Sequence, residues 1–256
     1  MHKLVFLMLC FFTVSAQEKG IHAQYTLFYN YQLPISRSVD LYFNEEKSYS
    51  VERMNTTNQL GETSKKPEIP IENSEMQSST LMEWDVQWYD DIVAVLKDKN
   101  QLYKTEQDPF LGFFVTIEEV PRIKWTITNE QKTVENLKCI KAITTFRGTD
   151  WKIWFAPEIP MSFGPWKLQS APGLIVEASN KEATVHYLLK ELKYNIDLPP
   201  FAFVGGKKMP LKEYVEYIEE NSNFEKYTDR DTKLMVKTEN TNRLEKVFEW
   251  EEDVKK

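Results

Sequence analysis

Glycine is scarce here, eight in 256 residues. Loops that cradle phosphates, and the elbow that presents a nucleophilic serine, depend on closely spaced glycines. Neither G-x-G-x-x-G, the Walker pattern nor G-x-S-x-G occurs, so those chemistries lack their sequence basis. Cysteine is scarcer still. Cys10 lies in the apolar run of the first residues, and removing that run leaves Cys139 alone, with no internal disulfide. The three histidines have no nearby cysteine partner, so a zinc site would need distant carboxylates. Asp229-Arg-Asp231 lacks the further acids and the glycine of a calcium loop. No metal, cofactor or catalytic constellation is therefore expected. Positive charge is in deficit: 32 Lys and Arg against 39 Asp and Glu give −7. Residues 1–16 carry Lys3 and no acid, so their loss moves the charge to −8. That acidity disfavours nucleic acid and anionic membrane surfaces as partners.

Long apolar runs are missing too, with one exception. In MHKLVFLMLCFFTVSA a basic start at Lys3 precedes an apolar run from Leu4 to Phe12, then Val14 and Ala16 at peptidase-site positions. This reads as a signal peptide over 1–16, and Cys10 is misplaced for a lipid anchor. No later stretch approaches the ~18 apolar residues of a membrane helix. The expected mature chain is a single domain over 17–256, exported to the periplasm or outer cell envelope.

What is abundant is aromatic and β-branched sequence. Residues 25–33 and 38–54 alternate with period two, Leu41 and Phe43 opposing Asp40 and Tyr42, with a hairpin connection at Asn44–Lys47. Further strands are expected over 123–128, 137–146, 150–155 and on either side of Ser179-Asn180-Lys181. Turn signals sit at 128–130 and 147–149. Residues 55–80 are polar and carry Pro67, Pro70 and an Asn55-Thr-Thr57 glycosylation tripeptide, which marks a long loop or insert. Beyond about 207 the pattern turns helical: Leu211, Tyr214, Val215 and Ile218 share a face, and 241–256 reads as a helix capped by Thr241 or Asn242. The fold class is mainly β (α+β): one large curved antiparallel sheet or open half-barrel with C-terminal helices.

Chemistry-bearing residues are few. Cys139 and His186 invite a nucleophile-and-base reading, but Cys139 sits at a core position of its strand. Asp90-Asp91 and Glu118-Glu119 are adjacent pairs, so on strands each pair splits between two faces and solvated edges explain them. Six tryptophans lie in or near strands: Trp84 and Trp88 share parity, while Trp151 and Trp154 face both sides of theirs. Trp125, Trp154 and Trp166 are the candidates to line a pocket for an apolar ligand. Ordinary core packing is the competing reading.

The densest signal is Pro157 to Ala178, PEIPMSFGPWKLQSAPGLIVEA, with four of the twelve prolines and two of the eight glycines. Ala171-Pro172-Gly173-Leu174 fits a type II turn with Gly173 at positive φ. Gly164-Pro165-Trp166 forms a second bend, and Leu174-Ile175 starts a strand, so the cassette reads as a rigid corner between strands. The same stretch, with Trp154, resembles the signature of the GLPGLI family, exported proteins of Bacteroidetes-type bacteria. Its six-residue signature aligns with Ser170 to Ile175. The match extends to Lys138-Cys139-x-Lys-Ala142, Phe146-Arg147-Gly148, Trp125-x-Ile127 and Leu41-Tyr42-Phe43-Asn44, so roughly residues 25 to 195 are covered. Ser170 and Ala171 stand where the family has Gly and Leu. The resemblance implies a mostly β envelope protein, found alongside outer-membrane receptor systems, and implies no catalytic residue. The expected function is a non-enzymatic binding or accessory protein for an apolar ligand or an outer-membrane partner. An envelope hydrolase, built on Cys139 or assembled carboxylates, and a structural envelope protein are the alternatives.

Overall fold

The computed structural model describes residues 18–30, 34–53, 90–108, 111–203, 205–221 and 244–252. The leader, the 55–80 insert with its Asn55 tripeptide, Trp84, Trp88, Asp229-Arg-Asp231 and the Thr241/Asn242 cap lie outside the described residues. Alternation builds the first strand, β1 (Lys19–Tyr29), in which Ile21, Ala23, Tyr25 and Leu27 are buried and the residues between them are half-covered. Five more strands follow as a meander: β2 (Ile35–Phe43), β3 (Lys47–Glu52), β4 (Asp91–Leu96), β5 (Gln101–Asp108) and β6 (Gly112–Glu119). A second meander comprises β7 (Thr126–Val134), β8 (Leu137–Phe146), β9 (Thr149–Ala156), β10 (Leu174–Asn180) and β11 (Val185–Asp197). Its last strand returns to pair antiparallel with β1, which makes one sheet of twelve strands. The twelfth, β12 (Lys207–Pro210), pairs parallel with β6, and α1 (Leu211–Asn221) and the single-turn α2 (Glu249–Glu252) complete the described elements.

The strand order forces curvature. Nine strands lie between β6 and β7, yet the chain joins those two strands with residues 120–125 alone. A flat sheet would hold them about 48 Å apart at ~4.8 Å per strand step. Six residues with their flanking bonds reach at most about 25 Å. The sheet must therefore curl until its two ends approach, as an open barrel with a seam. Local chemistry sets the corners. Asn44 Oδ1 accepts the amides of Glu46 and Lys47 at 3.0 Å, closing the first hairpin. Arg147 and Gly148, at φ 47° and 76°, have the mirror-image turn geometry that suits a two-residue hairpin. Residues 128–130 form no turn: they are an irregularity within β7, and the hairpin turns at Glu135-Asn136, φ 44° and 65°.

One face of the sheet, the inner face, is covered by three segments. Residues 157–173 pack against β2 and β9, with Phe163, Leu168 and Ala171 fully enclosed, Phe163 against Phe43 at 5.9 Å and Trp166 against Trp151 at 5.7 Å. The cassette is therefore a plug rather than a corner. Leu174 N–H donates to Ile159 O at 3.0 Å and Ile175 N–H to Phe163 O at 2.9 Å, which pins the plug to the strand it precedes. Gly173 does take a positive φ, 156°, which residues with a Cβ rarely adopt, but not the ~80° of a type II turn. Glycine is needed there for space: a Cβ would lie 2.3 Å from Ala156 O. The second cover is α1, which buries Leu211, Val215 and Ile218 and sets Tyr214 5.3 Å from Phe114 of β6. The third is 244–252. Residues 244–248 are not helical, because the amides of Lys246 and Val247 donate to Arg147 O across the seam.

Candidate functional site

The seam is held by charge. Glu118 lies next to the end of β6 and Arg147 turns β8 into β9, so the two come from opposite ends of the curled sheet. Glu118 accepts from the Arg147 guanidinium and, at 2.7 Å, from Lys167 Nζ, which the cassette supplies. Glu245 of the third segment accepts from Lys167 at 2.9 Å and also from Arg147, and Glu249 accepts from Arg147 Nε at 3.1 Å. The Lys167 side chain is 0% exposed, Arg147 5% and Glu118 8%. Burial opposes the charge on Arg147, but bonds from Glu118 and the nearby Glu245 outweigh it and raise its pKa. Burial likewise works against an ionised Glu245, yet Lys167 and Arg147 hold its carboxyl below the usual range.

A second ionic group adjoins it on the same face. Pairing places Glu52, Asp91, Lys104 and Glu106 in phase along β3 to β5. Lys104 Nζ lies 2.8 Å from Glu106 and 3.6 Å from Asp91. Burial disfavours its charge, but those two acids hold it protonated. Two acids around one ammonium leave an excess, and burial together with Asp91 raises the Glu106 carboxyl. Arg37 bonds Glu52, which also accepts from the Tyr29 hydroxyl at 3.1 Å. Burial and Asp91 raise Glu52 as well. The two groups sense each other: Glu245 favours the Lys104 charge, and Lys167 favours ionised Glu106.

Between them lies a hollow of about 300 Å³ whose walls include Glu52, Asp91, Lys104, Glu106, Trp166 and Phe248. A neighbouring hollow of about 190 Å³ shares Glu52, Asp91, Lys104 and Glu106 with it and adds Arg37 and Asp90. Such walls present donors and acceptors in fixed positions between aromatic rings, which suits a small hydrogen-bonding ligand.

The three candidate tryptophans do not converge. Trp166 lines the hollow and packs 5.7 Å from Trp151. Trp125 braces the plug, its Nε1 donating to Gln169 O at 2.7 Å. Trp154 sits on the outer face under the Lys132 ammonium, 4.5 Å from its ring centroid. Trp151 faces inward, so the two residues do take opposite sides of β9. Among the signature residues, Leu174 and Ile175 are buried in β10. Gly164 is needed for close approach, since a Cβ would meet Leu168 O at 2.7 Å, and Trp166 after Pro165 takes a positive φ of 55°. Cys139 is buried, burial pushes its thiol up, and its Sγ is bonded to Leu137 O. His186 instead lies 3.4 Å from Glu177, so the geometry gives no thiolate–imidazole pair. Adjacent acids do split between faces, but Asp91 and Glu118 belong to the buried network rather than to solvated edges. Sequence pattern gives no role to Lys104, Lys167 or Glu245 and marks Arg147 only as a turn and resemblance residue. Its available signal was phase: Lys104 and Glu106 share the parity of buried Leu102.

Among the described residues no helix is long and apolar enough to cross a membrane, and no three His, Cys, Asp or Glu are grouped to hold a metal ion. No family model matches the chain, and no curated protein is significantly similar to it. Two crystal forms of PNGF-II superpose with TM-scores of 0.53 and 0.51 at 10% and 11% identity, each over 79% of this chain. The chain spans only about a third of that protein's length, 33% and 34%. At that identity the likeness shows shared fold alone. An outer membrane lipoprotein-sorting protein domain from Vibrio parahaemolyticus aligns over 72% of this chain and 88% of its own at 10% identity. Its TM-score of 0.24 is too low to carry an argument.

Proposed function

We propose that the chain is an exported envelope protein of the GLPGLI type that acts as a binding or accessory protein and holds a small polar ligand in the inner-face hollow. The observation that carries this reading is the hollow itself, about 300 Å³ walled by Lys104, Glu106, Asp91 and Glu52 beside Trp166. Buried charges are costly unless paired, and a ligand that completes their hydrogen bonds recovers part of that cost. An apolar ligand in the same place would strip the remaining water from these groups without replacing it, so the polar class is favoured. Export rests on the leader-like first residues and the family resemblance.

Native mass spectrometry of the full chain purified from the cell envelope tests this. A small polar molecule should accompany the wild type and be lost from Lys104→Met, with the fold retained by circular dichroism. Recovery of a lipid, or of no small molecule with either protein, overturns the reading.

A further inference from the structure

We propose that the seam groove holding residues 244–248 is an exchangeable docking site for a partner protein. The partner enters with a segment of pattern apolar–Glu–x–x–aromatic in place of Leu244-Glu245-Lys246-Val247-Phe248. This goes beyond the ligand-holding reading and does not depend on it.

The resident segment shows what the groove recognises. The Glu245 carboxylate bridges Lys167 and Arg147. Leu244 O accepts from Thr149 Oγ1 at 2.8 Å, and the next two amides, of Lys246 and Val247, donate to Arg147 O at 2.8 and 3.3 Å. Three residues after the acid, the Phe248 ring packs with Leu211 and Val215 of α1 and lies 5.2 Å from the Arg147 guanidinium. Backbone contacts fix direction and register without reading Lys246 or Val247, and the acid and the ring supply the specificity.

The receiving side is built without this segment. The cassette positions Lys167, the tight turn positions Arg147, and β6 positions Glu118. Take away Glu245 and two buried cations share the Glu118 carboxylate, with only the exposed Glu249 beside Arg147, so the groove favours an incoming anion. The resident segment joins no strand ladder of the sheet, so it competes with an incoming segment as an intramolecular ligand. Leu244, Glu245 and Phe248 also wall the 300 Å³ hollow, so the incoming segment would supply those walls in their place.

The probe is a fluorescein-labelled peptide of residues 241–252, read by anisotropy against the full chain. Wild type, whose groove is occupied, should bind weakly. Glu245→Gln loosens the resident segment and leaves the receiving side intact, so it should bind the peptide at least about tenfold more tightly. The same peptide with Gln in place of its Glu should lose at least about tenfold on the Glu245→Gln chain. Equal binding by the two chains, no binding by the Glu245→Gln chain, or indifference to the peptide's acid each overturns the proposal. The peptide substitution leaves the protein untouched, so misfolding of a variant cannot mimic that last result.

Discussion

The cassette, 157–173, and the C-terminal segment, 244–252, cover the same inner face by opposite means. The cassette is enclosed: Phe163, Leu168 and Ala171 are fully buried, two amides of β10 bond back to it, and glycines let backbone meet backbone. The C-terminal segment is gripped by carboxylates on two cations and by a ring at its edge. Apolar enclosure is non-directional and is lost only with the core. A carboxylate grip is directional and can be satisfied equally by another carboxylate. One cover is part of the fold, and the other is a ligand of it. Lys167 belongs to both, being carried by the first and holding the second.

Removing that shared residue should have the largest effect. Lys167→Met leaves Glu118 and Glu245 buried with Arg147 alone, and breaking a buried pair in this way costs about 3–5 kcal/mol. Urea unfolding monitored by circular dichroism should show it, and a loss below about 1 kcal/mol would place the lysine in an effectively solvated site. Gly173→Ala tests the cassette by itself. Its new Cβ would fall 2.3 Å from Ala156 O, a backbone atom that cannot swing away. Overpacking of this kind costs about 1–3 kcal/mol, and an unchanged unfolding midpoint would show that the close approach relaxes freely.

The same contrast explains what could be read from the sequence. Period-two alternation exposes most of β1, β2 and β8 to β11, and i, i+4, i+7 spacing exposes α1, because one face of each is apolar. The inner face of β3 to β6 breaks that code. Glu52, Asp91, Lys104, Glu106 and Glu118 occupy buried or half-buried positions but read as solvent-facing, because their charges are offset by pairings that only the folded sheet reveals. Lys167 hid likewise among prolines and glycines whose geometry drew the attention. Residues 244–248 read as helix because they follow a capping Thr241 or Asn242 in an acid-and-base-rich stretch, whereas Arg147 O takes the amides of Lys246 and Val247. Local pattern cannot register a competitor more than ninety residues away, as the Arg147–Glu245 separation is here.

Glu245→Gln should touch only the second cover. In hydrogen exchange, the amides of Lys246 and Val247 should lose protection while those of Leu174 and Ile175 keep theirs. Acid sharpens the point. Glu245 has a lowered pKa in the folded state, so its contribution is complete above the usual Glu value of 4.5 and is lost as pH falls through the lowered value. Glu52 and Glu106 have raised values, so their protonation at higher pH favours the folded state as pH falls. The C-terminal segment should therefore stay seated on first acidification and leave only below about pH 4.5. Exchange at the amides of 246 and 247, followed against pH, reads this directly. Release at higher pH in the wild type would mean that the grip is not carboxylate-borne.

The smallest expected effect has the opposite sign. Ser170 sits in the cassette at φ 68°, exposed, and its hydroxyl makes no hydrogen bond among the described residues. An L-residue in the left-handed region costs roughly 1–2 kcal/mol. Glycine removes that cost but gains freedom in the unfolded chain, so Ser170→Gly should stabilise by about 0.5–1 kcal/mol. The backbone thus supplies a reason for glycine at this position that has nothing to do with a ligand. Its amide donates to Ser162 O at 3.1 Å and holds the conformation in place whichever residue is present. A lower unfolding midpoint for Ser170→Gly would assign the serine hydroxyl a role of its own. A higher midpoint, with the amides of 246 and 247 exchanging at unchanged rates, would show that the cassette can be tightened without tightening the segment it receives.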